Sequence, residues 1–262
     1  MRALALALLL AGCAQPPGGG GGIVSTNPCA DAMLVHMVPP ARIAAISHYS
    51  QTPGASSIPL ALARRFRATA GTAEEVIALR PDLVVASSFT APATREAWAR
   101  AGLKTLYLGI PATIAASEAQ VRELARAVGA VPAGERIVRD IDTGLRRTRP
   151  TDARRPRTLL YISGDLANGG GTLLDEAMTH VGLTNAAAGY GLAFTGRLPA
   201  ETLVAHPPDL VIAPDRNRLA SLRERLLPHS RAATIDPALL YCGGPAIPPA
   251  LDRLAAIRQE GP

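Results

Sequence analysis

Two stretches of this chain are near-copies. Residues 73–86 read AEEVIALRPDLVVA and residues 200–213 read AETLVAHPPDLVIA, with eight of fourteen positions identical. In both, a glutamate stands seven residues ahead of the proline in a Pro-Asp-Leu-Val run: Glu74 before Pro81, and Glu201 before Pro208. Each copy reads as helix, break, buried strand. Thr72 suits a helix N-cap, Glu74 and Glu75 suit the positive end of the helix, and Val76, Ile77 and Leu79 supply an apolar face. Pro81 ends the helix, and Leu83-Val84-Val85-Ala86 is the short continuous apolar run of a strand covered on both faces. The second copy repeats the plan, with Pro207-Pro208 as the break and Leu210-Val211-Ile212-Ala213 as the strand. Two copies are too few for a solenoid; they mark two equivalent lobes.

The same alternation continues around each copy. Strands are expected at 42–46, 105–108 and 158–162, with helices over 93–101 and 173–181, which points to an α/β fold of two parallel-sheet lobes. Between the halves, 117–130 and 132–149 are successive helical patterns, the second carrying Ile137, Ile141 and Leu145 at four-residue spacing. The expected organisation is an N-terminal lobe over 27–130, a single long linking helix over 131–150 that crosses once, a C-terminal lobe over 151–262, and a ligand cleft between the lobes.

The start of the chain has a different character. MRALALALLLAGCAQ places Arg2 before a short apolar run and a Leu-Ala-Gly-Cys sequence, the pattern of a lipoprotein signal over 1–12 with Cys13 lipidated after cleavage. The apolar run falls short of the ~20 residues a membrane-spanning helix needs. Pro16, Pro17 and the glycines from Gly18 to Gly22 then suit a flexible tether over 13–26. Export to the periplasm favours a disulfide between the two remaining cysteines, Cys29 and Cys242, with two buried free thiols as the alternative. Metal binding by this pair finds no further soft ligands at suitable spacing.

Composition excludes more than it assigns. The formal charge of +6 invites a nucleic-acid reading, but the arginines are scattered and no aromatic residues interleave with them, so no nucleic acid is expected. No Gly-x-Ser-x-Gly elbow, His-Glu-x-x-His helix or phosphate-binding loop occurs, and GDLANGGGT lacks the Lys-Ser/Thr that would follow such glycines; an enzyme is not expected, nor any cofactor. His36, His180, His206 and His229 share no metal-ligand spacing, which disfavours a bare zinc or manganese site.

Taken together, the paired Glu-x6-Pro-Asp-Leu-Val motifs, the strand Arg42-Ile43-Ala44-Ala45-Ile46-Ser47 and the run Gly171-Thr172-Leu173-Leu174-Asp175 resemble the periplasmic substrate-binding proteins of ABC importers for ferric siderophores, haem and vitamin B12. The resemblance covers about residues 27–257. It implies a monomeric, lipid-anchored receptor that takes a metal chelate and hands it to an ABC permease dimer with its ATPase. It implies that Glu74 and Glu201 dock on the two permease subunits, a matched pair that helix-end electrostatics alone accounts for poorly. A bare-metal binder and a transporter-independent sensor are the alternatives.

Open α/β sheets bind ligands beyond the carboxyl ends of their strands. The candidate ligand residues there are His48, Tyr49, Ser87, Phe89, Asn168, Arg197 and Arg216. A tyrosinate or imidazole can ligate haem iron, and arginines can pair with anionic chelates. Aromatic residues make up only 3% of the chain, which tilts the expectation toward a hydroxamate or carboxylate chelate or a corrinoid.

Overall fold

The computed structural model describes residues 21–214 and 225–260. Its first half is a five-stranded, wholly parallel sheet. The strands are β1 (Ile23–Ser25), β2 (Ile43–Ser47), β3 (Ala68–Thr69), β4 (Leu83–Ser87) and β5 (Thr105–Leu108), in the order β3-β2-β1-β4-β5. Helices α1 (Pro28–Met37), α2 (Leu60–Ala63), α3 (Ala73–Leu79) and α4 (Pro92–Arg100) connect them. The central strand, β1, lies inside the segment expected to be tether. Residues 23–25 are therefore sheet, and the glycine just before them has structural work: Gly22, at φ +80°, would press a side chain against the Arg42 carbonyl oxygen at 3.0 Å.

Two helices, α5 (Ile114–Ala127) and α6 (Val131–Thr148), carry the chain to the second sheet. That sheet is built from β6 (Arg157–Ser163), β7 (Leu166–Asn168), β8 (Thr184–Asn185), β9 (Thr195–Gly196), β10 (Leu210–Ala213) and β11 (Arg231–Thr234), with α7 (Leu173–His180), α8 (Ala186–Gly189), α9 (Ala200–Ala205) and α10 (Ile247–Gln259) packed around it. Its β11-β10-β6 portion and the β6–β8 pair are parallel, as the repeat implies. The Gly-rich stretch 164–171 holds β7, which turns back antiparallel on β6 and pairs antiparallel with β9.

The repeated aspartate has a definite task in each lobe. Asp82 Oδ2 accepts from the Gly22 N–H (2.6 Å) and Asp209 Oδ2 accepts from the Arg157 N–H (2.7 Å), so each copy fastens the start of a neighbouring strand, β1 or β6. Thr72 caps α3 by accepting from the Glu75 N–H.

One hydrophobic core runs through both halves, drawing on α1, α5, α6, α7 and α10. α6 packs closely against α5 and α10, and its Gly144 would place a Cβ 3.2 Å from Pro248. The lobes are fastened along one side. Glu176 Oε2 accepts from the Ile114 N–H at the start of α5 (2.6 Å), His180 Nε2 donates to the Leu145 carbonyl (2.8 Å), and the Ser117 hydroxyl accepts from the Gly244 N–H (2.8 Å). Cys29 and Cys242 are disulfide-bonded, closing a loop with a sequence separation of 213. The C-terminal segment around Gly244 thus returns to the first lobe after the linking helix has left it. Among the described residues, no helix is long and apolar enough to cross a membrane.

Candidate functional site

The carboxyl ends of both sheets face one cleft of about 470 Å³. Asn27 reaches it from the end of β1, Ser87 and Phe89 from β4, Gly109 and Ile110 from β5, Ile162 from β6, and Asn168, Phe194 and Thr195 from the antiparallel β7–β9 pair. The Cys29–Cys242 disulfide and Tyr241 form part of its wall. Among the described residues, no charged side chain and no histidine lines it.

Local chemistry shapes each wall. After β4, the Ser87 hydroxyl accepts from the Phe89 N–H (3.1 Å) while its carbonyl accepts from the Thr90 hydroxyl (2.8 Å), a tight turn that leaves the Phe89 ring 74% exposed. Gln120 of α5 donates to the Gly109 carbonyl (2.7 Å), steadying the loop that carries exposed Ile110. Across the cleft, Asn168 is buried, and its amide is committed internally: Oδ1 accepts from the Thr172 hydroxyl (2.9 Å). Asn185 Nδ2 donates to the Gly169 carbonyl (3.1 Å) and to Asp175 Oδ1 (2.9 Å).

This network holds a glycine edge against which Phe194 is set. Phe194 N–H donates to the Gly170 carbonyl (2.8 Å), and its carbonyl accepts from the Gly169 N–H. Its φ is +58°, a conformation that costs a bulky residue about 1–2 kcal/mol. A Cβ at Gly169 would stand 2.6 Å from the Phe194 carbonyl oxygen, so only glycine permits the arrangement.

The candidate residues read from sequence divide sharply. Ser87, Phe89 and Asn168 line the cleft, Asn168 as a brace for its neighbours. His48 and Tyr49 sit at the same carboxyl edge, beyond β2, but outside the cleft wall. Their rings stack at 4.1 Å between centroids, and His48 Nδ1 faces the Thr69 carbonyl at 3.2 Å, which makes Nδ1 the donor and leaves Nε2 without its proton in the neutral ring. Arg197 is exposed and paired with Asp165 (2.6 Å), also outside the wall. Arg216 and Cys13 lie outside the described residues. Sequence reasoning passed over Ile110 and Tyr241 and reached Phe194 only as part of the loop from Tyr190 to Arg197, without singling it out. Their signal is large apolar side chains in exposed loops, Ile110 just past β5, Phe194 just before β9 and Tyr241 in the segment after β11, where a loop has no folding reason to carry them.

Beneath the His48–Tyr49 turn lies a buried carboxyl group. Asp31 is 0% exposed, and its Oδ2 accepts from the Ser47 N–H (2.9 Å) and the Ser50 hydroxyl (2.6 Å). Burial pushes its pKa up to about 7, against the lowering effect of hydrogen bonding from Ser25, Ser50 and the Ser47 backbone. Glu74 and Glu201 are exposed in the first turns of α3 and α9, and neither carboxylate has an ion pair among the described residues.

Solved structures share this architecture. The periplasmic haem-binding protein RhuT from Roseiflexus sp. RS-1 superposes with a TM-score of 0.72 at 20% identity, covering 91% of this chain and 97% of its own. A periplasmic haem-binding protein from Pseudomonas aeruginosa gives 0.73 at 22% identity, covering 90% and 91%. The periplasmic vitamin B12 binding protein BtuF of Vibrio cholerae gives 0.68 at 15% identity, covering 91% and 96%. No curated protein sequence matches. The family model described as "Periplasmic binding protein" matches residues 23–238, and the chain belongs to that family of solute receptors, which are not enzymes.

Proposed function

We propose that this protein captures a tetrapyrrole-type metal chelate, haem or a corrinoid, in the cleft between its lobes and delivers it to an ABC permease. The observation that carries this reading is the cleft wall, uncharged among the described residues, onto which exposed Phe89, Ile110, Phe194 and Tyr241 converge from both lobes. A wall of that kind suits the apolar faces of a broad macrocycle, whose carboxylate or amide side chains sit at its rim and can reach solvent, better than a compact catecholate or carboxylate siderophore, whose charge surrounds the metal and calls for cationic partners. The low aromatic content argues less against a macrocycle than the bare count implies, because two of the three phenylalanines stand at this cleft. The haem-binding and vitamin B12 binding proteins that share this architecture support the same class. A bare cation finds no carboxylate or imidazole in the described wall, and no group of three or more His, Cys, Asp or Glu side chains gathers anywhere among the described residues.

Titration with haem, cobalamin and a ferric trihydroxamate, read by absorbance and calorimetry, tests the reading. Trp98 is buried under the first sheet, away from the cleft wall, so its fluorescence is a poor reporter. One of the two tetrapyrroles should bind one-to-one at micromolar concentration or tighter. Binding of only the hydroxamate, or only of zinc or manganese, would overturn the macrocycle reading. If haem binds with its edge toward β2, an iron–phenolate band lost in Tyr49→Phe would identify Tyr49 as a ligand of the cargo iron, and an imidazole signature lost in His48→Ala would identify His48.

Delivery rests on the exposed glutamates. Two anionic side chains held apart by one rigid body make a bivalent, orientation-specific contact with cationic permease surfaces. Glu74→Lys with Glu201→Lys should abolish uptake in cells while leaving ligand affinity within twofold of wild type. An affinity loss would move them to the cleft. The lipid anchor is placed on Cys13, checked by a mass shift on the mature chain that Cys13→Ala removes.

A further inference from the structure

Phe194 is an outlier with no folding reason behind it. Of the two non-glycine residues in the left-handed region among the described residues, Arg80 closes the C-terminus of α3, a common place for that conformation. Phe194 closes no helix. Its backbone is held by two pairings to Gly169 and Gly170, a glycine edge braced in turn by Asn168 and Asn185. All of this fixes the direction of one side chain, yet the ring it fixes is 68% exposed. A strained backbone carrying a buried ring would be offset by core packing; this one, carrying an exposed ring, is offset only by its two backbone hydrogen bonds, which a glycine would make equally well. Strain of this kind collects where a side chain must be aimed before its partner arrives. Phe89, almost equally exposed, reaches the same cleft from the other lobe.

We propose that Phe194 is a specificity-determining residue of the cleft: its left-handed backbone pre-aims the ring so that it covers one face of a flat, conjugated macrocycle, with Phe89 of the opposite lobe on the other face. The inference rests on the macrocycle reading of the cleft. Aromatic rings favour offset stacking on an extended π surface and supply contact area at little entropic loss when already fixed in place. A ferric trihydroxamate offers no such surface. Phe194 therefore separates the two ligand classes, whereas the aliphatic wall at Ile110 accepts both.

Glycine tests this cleanly, because Phe194→Gly removes the ring and the strain together. The unliganded variant should melt at the wild-type temperature or above it. Its affinity for the tetrapyrrole that the wild type binds, haem or cobalamin, should fall at least tenfold. Phe194→Leu, which keeps the strain and some apolar area, should lose less, and Phe89→Ala should lose an amount comparable to Phe194→Gly. Tetrapyrrole affinity within twofold of wild type in Phe194→Gly would overturn the proposal. So would a clearly lowered melting temperature, which would make the ring a packing residue, or an equal loss for trihydroxamate and tetrapyrrole, which would make it unselective. A wild-type chain that binds neither tetrapyrrole fails at an earlier point: it overturns the macrocycle reading, and this inference with it.

Discussion

The two lobes share a repeat and solve one problem in opposite ways. Each must hold a polar turn at the carboxyl edge of its sheet. The first lobe does so with a buried carboxyl group, Asp31, under the Ser47–Ser50 turn. The second uses buried amides, Asn168 and Asn185, around Gly169 to Thr172, and its one carboxylate there, half-buried Asp175, accepts from the Gly171 N–H (3.0 Å) and Asn185 Nδ2 (2.9 Å). A buried amide satisfies its neighbours without risk of carrying charge; a buried carboxyl group does so only while it stays protonated or its charge is well solvated by donors. The repeat thus fixes the frame of each lobe and leaves the site loops free to diverge. One consequence is that the turn of the first lobe hangs on a carboxyl group whose pKa burial raises to about 7.

The comparison assumes that the lobes stand or fall together, and the disulfide tests that assumption with the largest effect. Loop-entropy models give a bridge over so long a loop about 4–5 kcal/mol. Replacing Cys29 and Cys242 together by serine should lower stability by an amount of that order in urea denaturation. The transition should remain single, because one core runs through both halves. Two separated transitions would show that each lobe carries its own stability and that the bridge alone joined them.

Asp31→Asn comes next. The folded pKa of about 7 lies above the ordinary value of 3.8, so the folded state binds the proton more tightly than the unfolded chain. Stability from this group is full below about pH 4 and is lost as pH rises toward 7, a loss on the order of 4 kcal/mol. Asparagine keeps an oxygen for the Ser47 N–H and the Ser50 hydroxyl and carries no charge. At pH 8 the variant should be more stable than wild type, with the gap shrinking steadily toward pH 4. Parallel stability curves across that range would remove Asp31 as the source of the asymmetry.

Much of this frame was legible in the chain, and the reasons for the gaps are physical. The strands of the repeat announce themselves because burial on both faces demands unbroken apolar runs. The long helices announce themselves by period, as with Ile137, Ile141 and Leu145. β1 did not, because three residues between a glycine run and a proline show no periodicity, although the strand sits at the centre of its sheet. β7 was hidden by the glycines beside it, which serve close backbone approach rather than a loop. At the site, His48, Tyr49 and Arg197 drew notice through their chemistry, and chemistry says nothing about direction. The cleft wall came instead from ordinary apolar residues such as Ile110 and Phe194, whose meaning lies in being exposed in loops beside the strands.

The smallest effect separates the two copies of the repeat itself. Asp82 and Asp209 make equivalent bonds to the N–H at the start of β1 and of β6. What surrounds those bonds differs. Gly22 has no side chain, so the start of β1 is tied only through its backbone, by Asp82 and by Gly21 N–H to the Arg80 carbonyl (2.8 Å). Arg157 keeps its guanidinium on the Pro207 carbonyl (3.3 Å) and the Tyr190 hydroxyl (3.3 Å) whether or not Asp209 is there. Asp82→Ala should therefore cost about 2.5 kcal/mol and Asp209→Ala about 1.5 kcal/mol, both within the range for a lost charge-assisted hydrogen bond. Because the two sites lie in different lobes and share no partner, the double variant should lose the sum to within about 0.5 kcal/mol. If Asp209→Ala costs the more, the side-chain ties of Arg157 do not hold β6, and the two copies owe their likeness to something other than this shared bond. If the double variant loses far more than the sum, the strand starts are coupled through the common core, and the lobes are less alike in sequence than they are bound in energy.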